Sequence, residues 1–256
     1  MTRAEAMQAE LFTDSPPGHG GPIPMDADVV IDGLDWPGIA AQLDAEGYAL
    51  LPQWLAPDQA RSLGRHAAAL ERASLAHAGL GQGSLHYFPA DLPAPLAAWR
   101  SDLYRRLAPI ANRWSDRLGS AYRYPGELAP FLRSGRQAGQ AHALTHLCQL
   151  REDDYVALHQ RNEGAHVFPL QLVALLAEPG RDFTGGEFVM TEQRPRMQSR
   201  PMVLPLRLGD AALIATAHRP VRGASGADYR VSLKHAISRV LGGSRIGLEL
   251  SFHNAP

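Results

Sequence analysis

Leu158-His159-Gln160-Arg161-Asn162-Glu163-Gly164 closes an apolar segment and opens a polar loop, and its partners further along are Lys234-His235 and Ser244-Arg245. A histidine two positions before a polar residue, a second histidine late in the chain and a basic residue ten places beyond it form an ordered set. That order predicts a non-haem iron site with an anchor for a dicarboxylate cosubstrate. Fe(II) sites of this kind use two imidazoles and one carboxylate on one face, leaving the opposite positions open. Both imidazoles are present. At the position expected for the carboxylate the chain carries Arg161.

Outward from this stretch, the C-terminal half reads as short apolar runs separated by turn residues. Strands are expected at about 143–150, 155–159, 167–177, 187–190, 202–205, 211–215, 229–240 and 245–253. Turn signals fall at Glu178-Pro179-Gly180, Thr184-Gly185-Gly186, Leu208-Gly209-Asp210 and Gly242-Gly243. Eight strands at this spacing predict a jelly roll, two facing sheets with a mouth at one end. Upstream, helical spacing predicts a helix at about 36–47, then a short strand ending at Pro52. A second helix should open at Pro57-Asp58 and run through Leu63 and Leu70 to about residue 76. Residues 79–83 read as a loop. The longest helical pattern covers about 95–118, with Leu96, Trp99, Leu103, Leu107, Ile110 and Trp114 on one stripe; Pro109 should bend or split it. The expected fold is α+β: a double-stranded β-helix core over about 141–256, with a helical support over about 29–140 packed on it as one domain. Residues 1–28, rich in Pro, Gly and small polar residues, read as a disordered tail.

The chain has 256 residues, enough to bury a sizeable interior. Its 25 basic and 26 acidic residues leave a net charge of -1, which does not favour nucleic acid or an anionic membrane as a partner. The single cysteine, Cys148, excludes an internal disulfide and a thiolate zinc cluster. No apolar run approaches a membrane span, and a soluble cytoplasmic protein is expected.

Each candidate has a plainer alternative. His159 could be a loop histidine without a ligand role, His235 a satisfied core histidine, and Arg245 a surface arginine facing an acid. Together, two imidazoles and a guanidinium able to hold a distal carboxylate by two parallel hydrogen bonds make the metal reading stronger. His142 and His146 are read as structural or pocket-lining, and His166, His218 and His253 as structural. Gly185-Gly186 is a turn or bulge and not a phosphate loop, because no helix start follows.

Longer segments then add a family likeness. They are 107–114, His166-Val167-Phe168-Pro169-Leu170-Gln171, Asp182-Phe183-Thr184-Gly185-Gly186-Glu187-Phe188 with its continuation to Arg200, and the run from His235 through Arg245 to Phe252-His253. From about Trp36 to the C-terminus the chain resembles a bacterial family of 2-oxoglutarate/Fe(II) oxygenases. That family is often labelled as oxidative repair of damaged DNA and is distantly similar to prolyl 4-hydroxylases. The resemblance implies a double-stranded β-helix, Fe(II) held by His159 and His235, and 2-oxoglutarate held by Arg245.

The departures form a degenerate facial triad. In the family the position of Arg161 is an aspartate ligand, and that of Leu150 a tyrosine that helps bind the cosubstrate. A guanidinium stays protonated and cannot coordinate a cation. Three outcomes follow from the sequence: Glu163 swings in as a substitute metal ligand, two histidines hold the metal with water or an anion filling the vacancy, or the site is dead and the protein is a binding scaffold. Some oxygenase-like halogenases place chloride in the vacancy, but behind a small residue, and Arg161 is bulky. In the first two outcomes Arg161 itself gates or reshapes the third coordination position.

Residues 190–245 hold nine arginines and Lys234 against Glu192, Asp210 and Asp228. This local excess suits an anionic substrate, nucleic acid included, unless the arginines tie loops together through carboxylates. Tyr229 is the region's only aromatic residue, so no stacking surface accompanies the charge. The substrate, small or macromolecular, is not legible.

Overall fold

The computed structural model describes residues 31–256; the expected tail at 1–28 lies outside the described residues. The chain builds α1 (Trp36–Glu46), β1 (Tyr48–Leu51), α2 (Pro57–Arg65), β2 (Glu71–Ser74), β3 (Gly81–Gln82), β4 (Ser84–Tyr87), α3 (Leu96–Arg117) and α4 (Leu128–Gln137). There follow β5 (His146–Arg151), β6 (Tyr155–His159), β7 (Leu170–Leu175), β8 (Phe183–Gly185), β9 (Phe188–Gln193) and β10 (Arg200–Leu204). The last four strands are β11 (Ala211–Ala215), β12 (His218–Arg222), β13 (Asp228–Ile237) and β14 (Val240–Ser251).

Two mainly antiparallel sheets result. One runs β1-β11-β7-β14-β5-β4-β2 with β8 on β14, the other β10-β9-β13-β6-β3 with β12 on β13. This is the expected jelly roll. Every residue of β7 and β11 is buried, which explains why these strands read as unbroken apolar runs rather than alternating ones. The expected stripe of α3 is also buried throughout, and α3 packs on β12 and β14.

Several expectations need correcting. The helix opening at Pro57 stops at Arg65; a 3-10 turn (His66–Ala69) follows, and Leu70 is already extended. Beyond it the chain enters β2, a mostly exposed strand whose pairing with β4 outweighs local helix preference. Pro109 lies inside α3 without splitting it. α4 was not expected; it carries Leu128, Phe131 and Gly135 on one buried face with Pro130 in its first turn. The half expected to be helical thus also supplies β2, β3 and β4 to the sheets.

Candidate metal centre

His159 ends β6, and its direct cross-strand partner is His235 on β13. Residues paired in this way project to the same face, so the two rings meet with centroids 4.2 Å apart. His159 Nδ1 lies 2.9 Å from the carbonyl oxygen of Ala157. Donation there fixes the tautomer and leaves Nε2 as a lone-pair donor, which is buried without a hydrogen-bond partner. The ring of His235 stacks on Phe188 at 5.9 Å and 7°. Burial lowers both histidines, His235 to about 4 and His159 well below its ordinary value, so both imidazoles are neutral at pH 7.

The third group comes from the facing sheet. On β14, residues 245, 247, 249 and 251 share the inward face by strand alternation, and Glu249 brings its carboxylate to the two rings. Ligand-capable atoms of His159, His235 and Glu249 all lie within 4.8 Å of one another. Glu249 Oε2 is buried without a hydrogen-bond partner, 3.7 Å from His146 Nε2 and 3.8 Å from Arg161 Nε. Burial would raise this carboxyl, but His146, Arg161 and the other two histidines outweigh it and hold it down to about 2. Arg161 is 1% exposed, and burial pulls its pKa down. Glu249, Tyr87 and Glu163 more than offset that effect, so it remains a guanidinium.

Sequence reasoning missed Glu249 and considered Glu163. Glu163 is not in the three-residue donor group; it stands on the loop after Arg161, where its charge acts on the guanidinium. The signal available for Glu249 was a lone acid inside the apolar run Leu248-Glu249-Leu250, at even spacing from Arg245.

Arg245 is 3% exposed and points into the barrel. Its Nε donates to the carbonyl oxygen of Gly186 at 2.8 Å, and its guanidinium stands 6.0 Å from the Phe183 ring centre. Gly186 adopts φ +65, and a Cβ there would meet Arg245 Cδ at 3.0 Å. The Asp182–Phe188 run is thus the cradle of this arginine. Leu150 is the direct strand partner of Arg245. The space bounded by Arg245, Gly247 and Glu249 is only about 10 Å³, room for about one water. A larger cleft of about 490 Å³ borders Asn162, next to Arg161, and is lined by Trp114, Tyr122, Tyr124 and Arg230 but by none of the donor group.

Of the remaining histidines, His146 is the cross-strand partner of Glu249, and its Nδ1 donates to Leu144 O at 2.7 Å. His166 meets Tyr122 Oη, and His253 accepts from Phe168 N. Among the expected excess of arginines, Arg194 and Arg219 pair with Glu192, Arg200 with Glu46 and Arg239 with Asp153. Much of that positive charge therefore ties elements together. Among the described residues no helix is long and apolar enough to cross a membrane.

These features define an oxygenase-type jelly roll. The comparisons agree: residues 83–255 match the family described as "Oxygenase, catalysing oxidative methylation of damaged DNA", and the chain belongs to that family. It is 38% identical over 169 residues to an uncharacterized protein of Mycobacterium tuberculosis, covering 66% of this chain and 72% of that one. Its fold is similar to a prolyl-4-hydroxylase from Pseudomonas putida, with 12% identity, coverage of 86% and 99%, and a TM-score of 0.51. A prolyl 4-hydroxylase from Phytophthora capsici is similar at 13% identity, with coverage of 95% and 68% and a TM-score of 0.52.

Proposed function

We propose that the protein is an Fe(II)- and 2-oxoglutarate-dependent oxygenase or a close derivative, with His159 and His235 holding the metal and Arg245 facing the cosubstrate's far carboxylate. The observation that carries this reading is the convergence of two neutral, buried imidazoles on one point inside the barrel mouth. The unpartnered His159 Nε2 and the anionic donor beside it suit a divalent ion. Fe(II), once bound, would supply the oxygen-activating chemistry of this family. The chain's own residues hold the imidazoles neutral, fix the His159 tautomer and keep solvent from the barrel interior.

Arg161 occupies the position where the family resemblance places an aspartate ligand, and there it sets the charge beside the metal. The fit to 2-oxoglutarate is poorer. The cavity that Arg245 and Glu249 line together with Phe188, Leu206 and Ile237 is about 10 Å³, and a five-carbon diacid does not fit in it while these side chains stand as they do. That observation favours a second reading, a catalytically silent member of the family acting as a ligand- or partner-binding scaffold. Nucleic acid as the substrate rests on the family description; the ion-paired arginines lend it little support.

Adding Fe(II) and then 2-oxoglutarate without oxygen separates the two readings. An enzyme gives the weak visible charge-transfer band of the chelate and releases succinate under air. A folded protein giving neither signal is a scaffold.

A further inference from the structure

We infer that Glu249 is the carboxylate ligand of this metal centre, supplied from β14 in the facing sheet rather than from the loop after His159. The inference rests on the proposed metal role of His159 and His235 and names the third donor of that same site.

Three observations support it. The carboxylate and both imidazoles offer donor atoms within 4.8 Å of one another, a spacing that one ion at ordinary bond lengths bridges with small side-chain shifts. In these residues His159 Nε2 and Glu249 Oε2 are buried and lack hydrogen-bond partners, an arrangement that costs free energy unless something binds them. Finally, the cation nearest the carboxylate is poorly placed to satisfy it: Arg161 Nε stands 3.8 Å from Oε2, beyond hydrogen-bonding range. Arg161 compensates charge, and the coordination position stays open to a metal. The loop that follows His159 has thus exchanged its anionic ligand for a cation, and β14 brings the anion. The ligand set is still two imidazoles and one carboxylate, with the carboxylate on the side where Arg245 lies.

Co(II) titration of the full-length protein under argon, followed by visible absorption and calorimetry, tests this. Wild type is expected to bind one Co(II), His159→Ala to lose it, and Glu249→Gln to bind roughly 100-fold or more weakly with an altered spectrum, since even supporting residues around a metal contribute 10–100-fold. If His159→Ala abolishes binding while Glu249→Gln leaves affinity and spectrum unchanged, Glu249 is not a ligand and the histidine site survives. If wild type binds no Co(II), the metal reading and this inference both fall. Anomalous diffraction from wild-type crystals soaked in Co(II) needs no variant. A peak bonded to the Glu249 carboxylate supports the assignment, and a peak on the imidazoles with Glu249 turned away overturns it.

Discussion

Arg161 and Glu249 face each other across the barrel interior with Nε and Oε2 3.8 Å apart, both nearly inaccessible to solvent. A buried pair of this kind adds little net stability, because removing two charges from water offsets their attraction. Its main effect is to link the two members: without Arg161, Glu249 would lose a nearby counter-charge in a low-dielectric interior.

Arg161→Leu therefore removes a nearby counter-charge from a carboxylate whose Oε2 lacks a hydrogen-bond partner. The expected cost without metal is about 3–5 kcal/mol. Added Co(II) should restore a large part of it, because the ion takes over the counter-charge. Thermal melting with and without Co(II) is the check, and equal losses in both conditions would show that the pair is only structural.

Arg161→Asp places a carboxylate at the corner that the family resemblance assigns to one. Fe(II) affinity should rise by roughly 10-fold or more even as the metal-free protein melts earlier. Anaerobic calorimetry showing no gain would remove the idea that Arg161 limits metal affinity.

Shortening Glu249 to Ala enlarges the space beside Gly247 that now measures about 10 Å³. If side-chain filling is what obstructs a diacid at Arg245, 2-oxoglutarate should bind the metal-free variant at least about 10-fold more tightly than metal-free wild type, by the charge-assisted bonds open to a guanidinium. Equilibrium dialysis with labelled 2-oxoglutarate decides it, and undetectable binding to both proteins rejects Arg245 as an anchor.

Gly186 sits at φ +65 against Arg245 Cδ and Val240 Cγ2. Gly186→Ala should cost about 1–2 kcal/mol from backbone strain alone, with a further loss from displacing Arg245. In denaturant titrations the midpoint should fall. An unchanged midpoint would show that the cradle yields easily.

Asp182 accepts from Glu178 N at 2.8 Å and from Arg61 at 2.8 Å, tying the Gly185-Gly186 turn to α2. The Glu178 amide, aided by Arg61 and only partly opposed by burial, holds its carboxyl below the ordinary 3.8. A depressed folded-state pKa contributes stability above the unfolded value and loses it as pH falls through the folded one. Asp182→Asn should thus be less stable than wild type at pH 7, with the gap narrowing below about pH 4. Urea unfolding at pH 7 and pH 3 measures it; a gap that persists at pH 3 would assign the effect to geometry rather than charge.

Much of this protein was legible in its sequence, because the relevant signals are local. Turn residues and apolar runs marked β6 and β11 to the residue and placed the other expected strands of the C-terminal core to within about five positions. The stripe along α3 named its buried face. The order His159, His235, Arg245 made these residues candidates for one centre, and strand pairing brings the two histidines together. The tertiary structure alone decided that β2, β3, β4, β8 and β12 would be strands, since short segments gain their stability from partners distant in the chain. It also decided where the anion by the histidines originates. The sequence next to His159 holds Arg161 and Glu163, but the carboxylate that reaches the rings belongs to Glu249. Its inward direction is set by the pleat of β14, and its distance from the rings by how two sheets pack, which no spacing along the chain records.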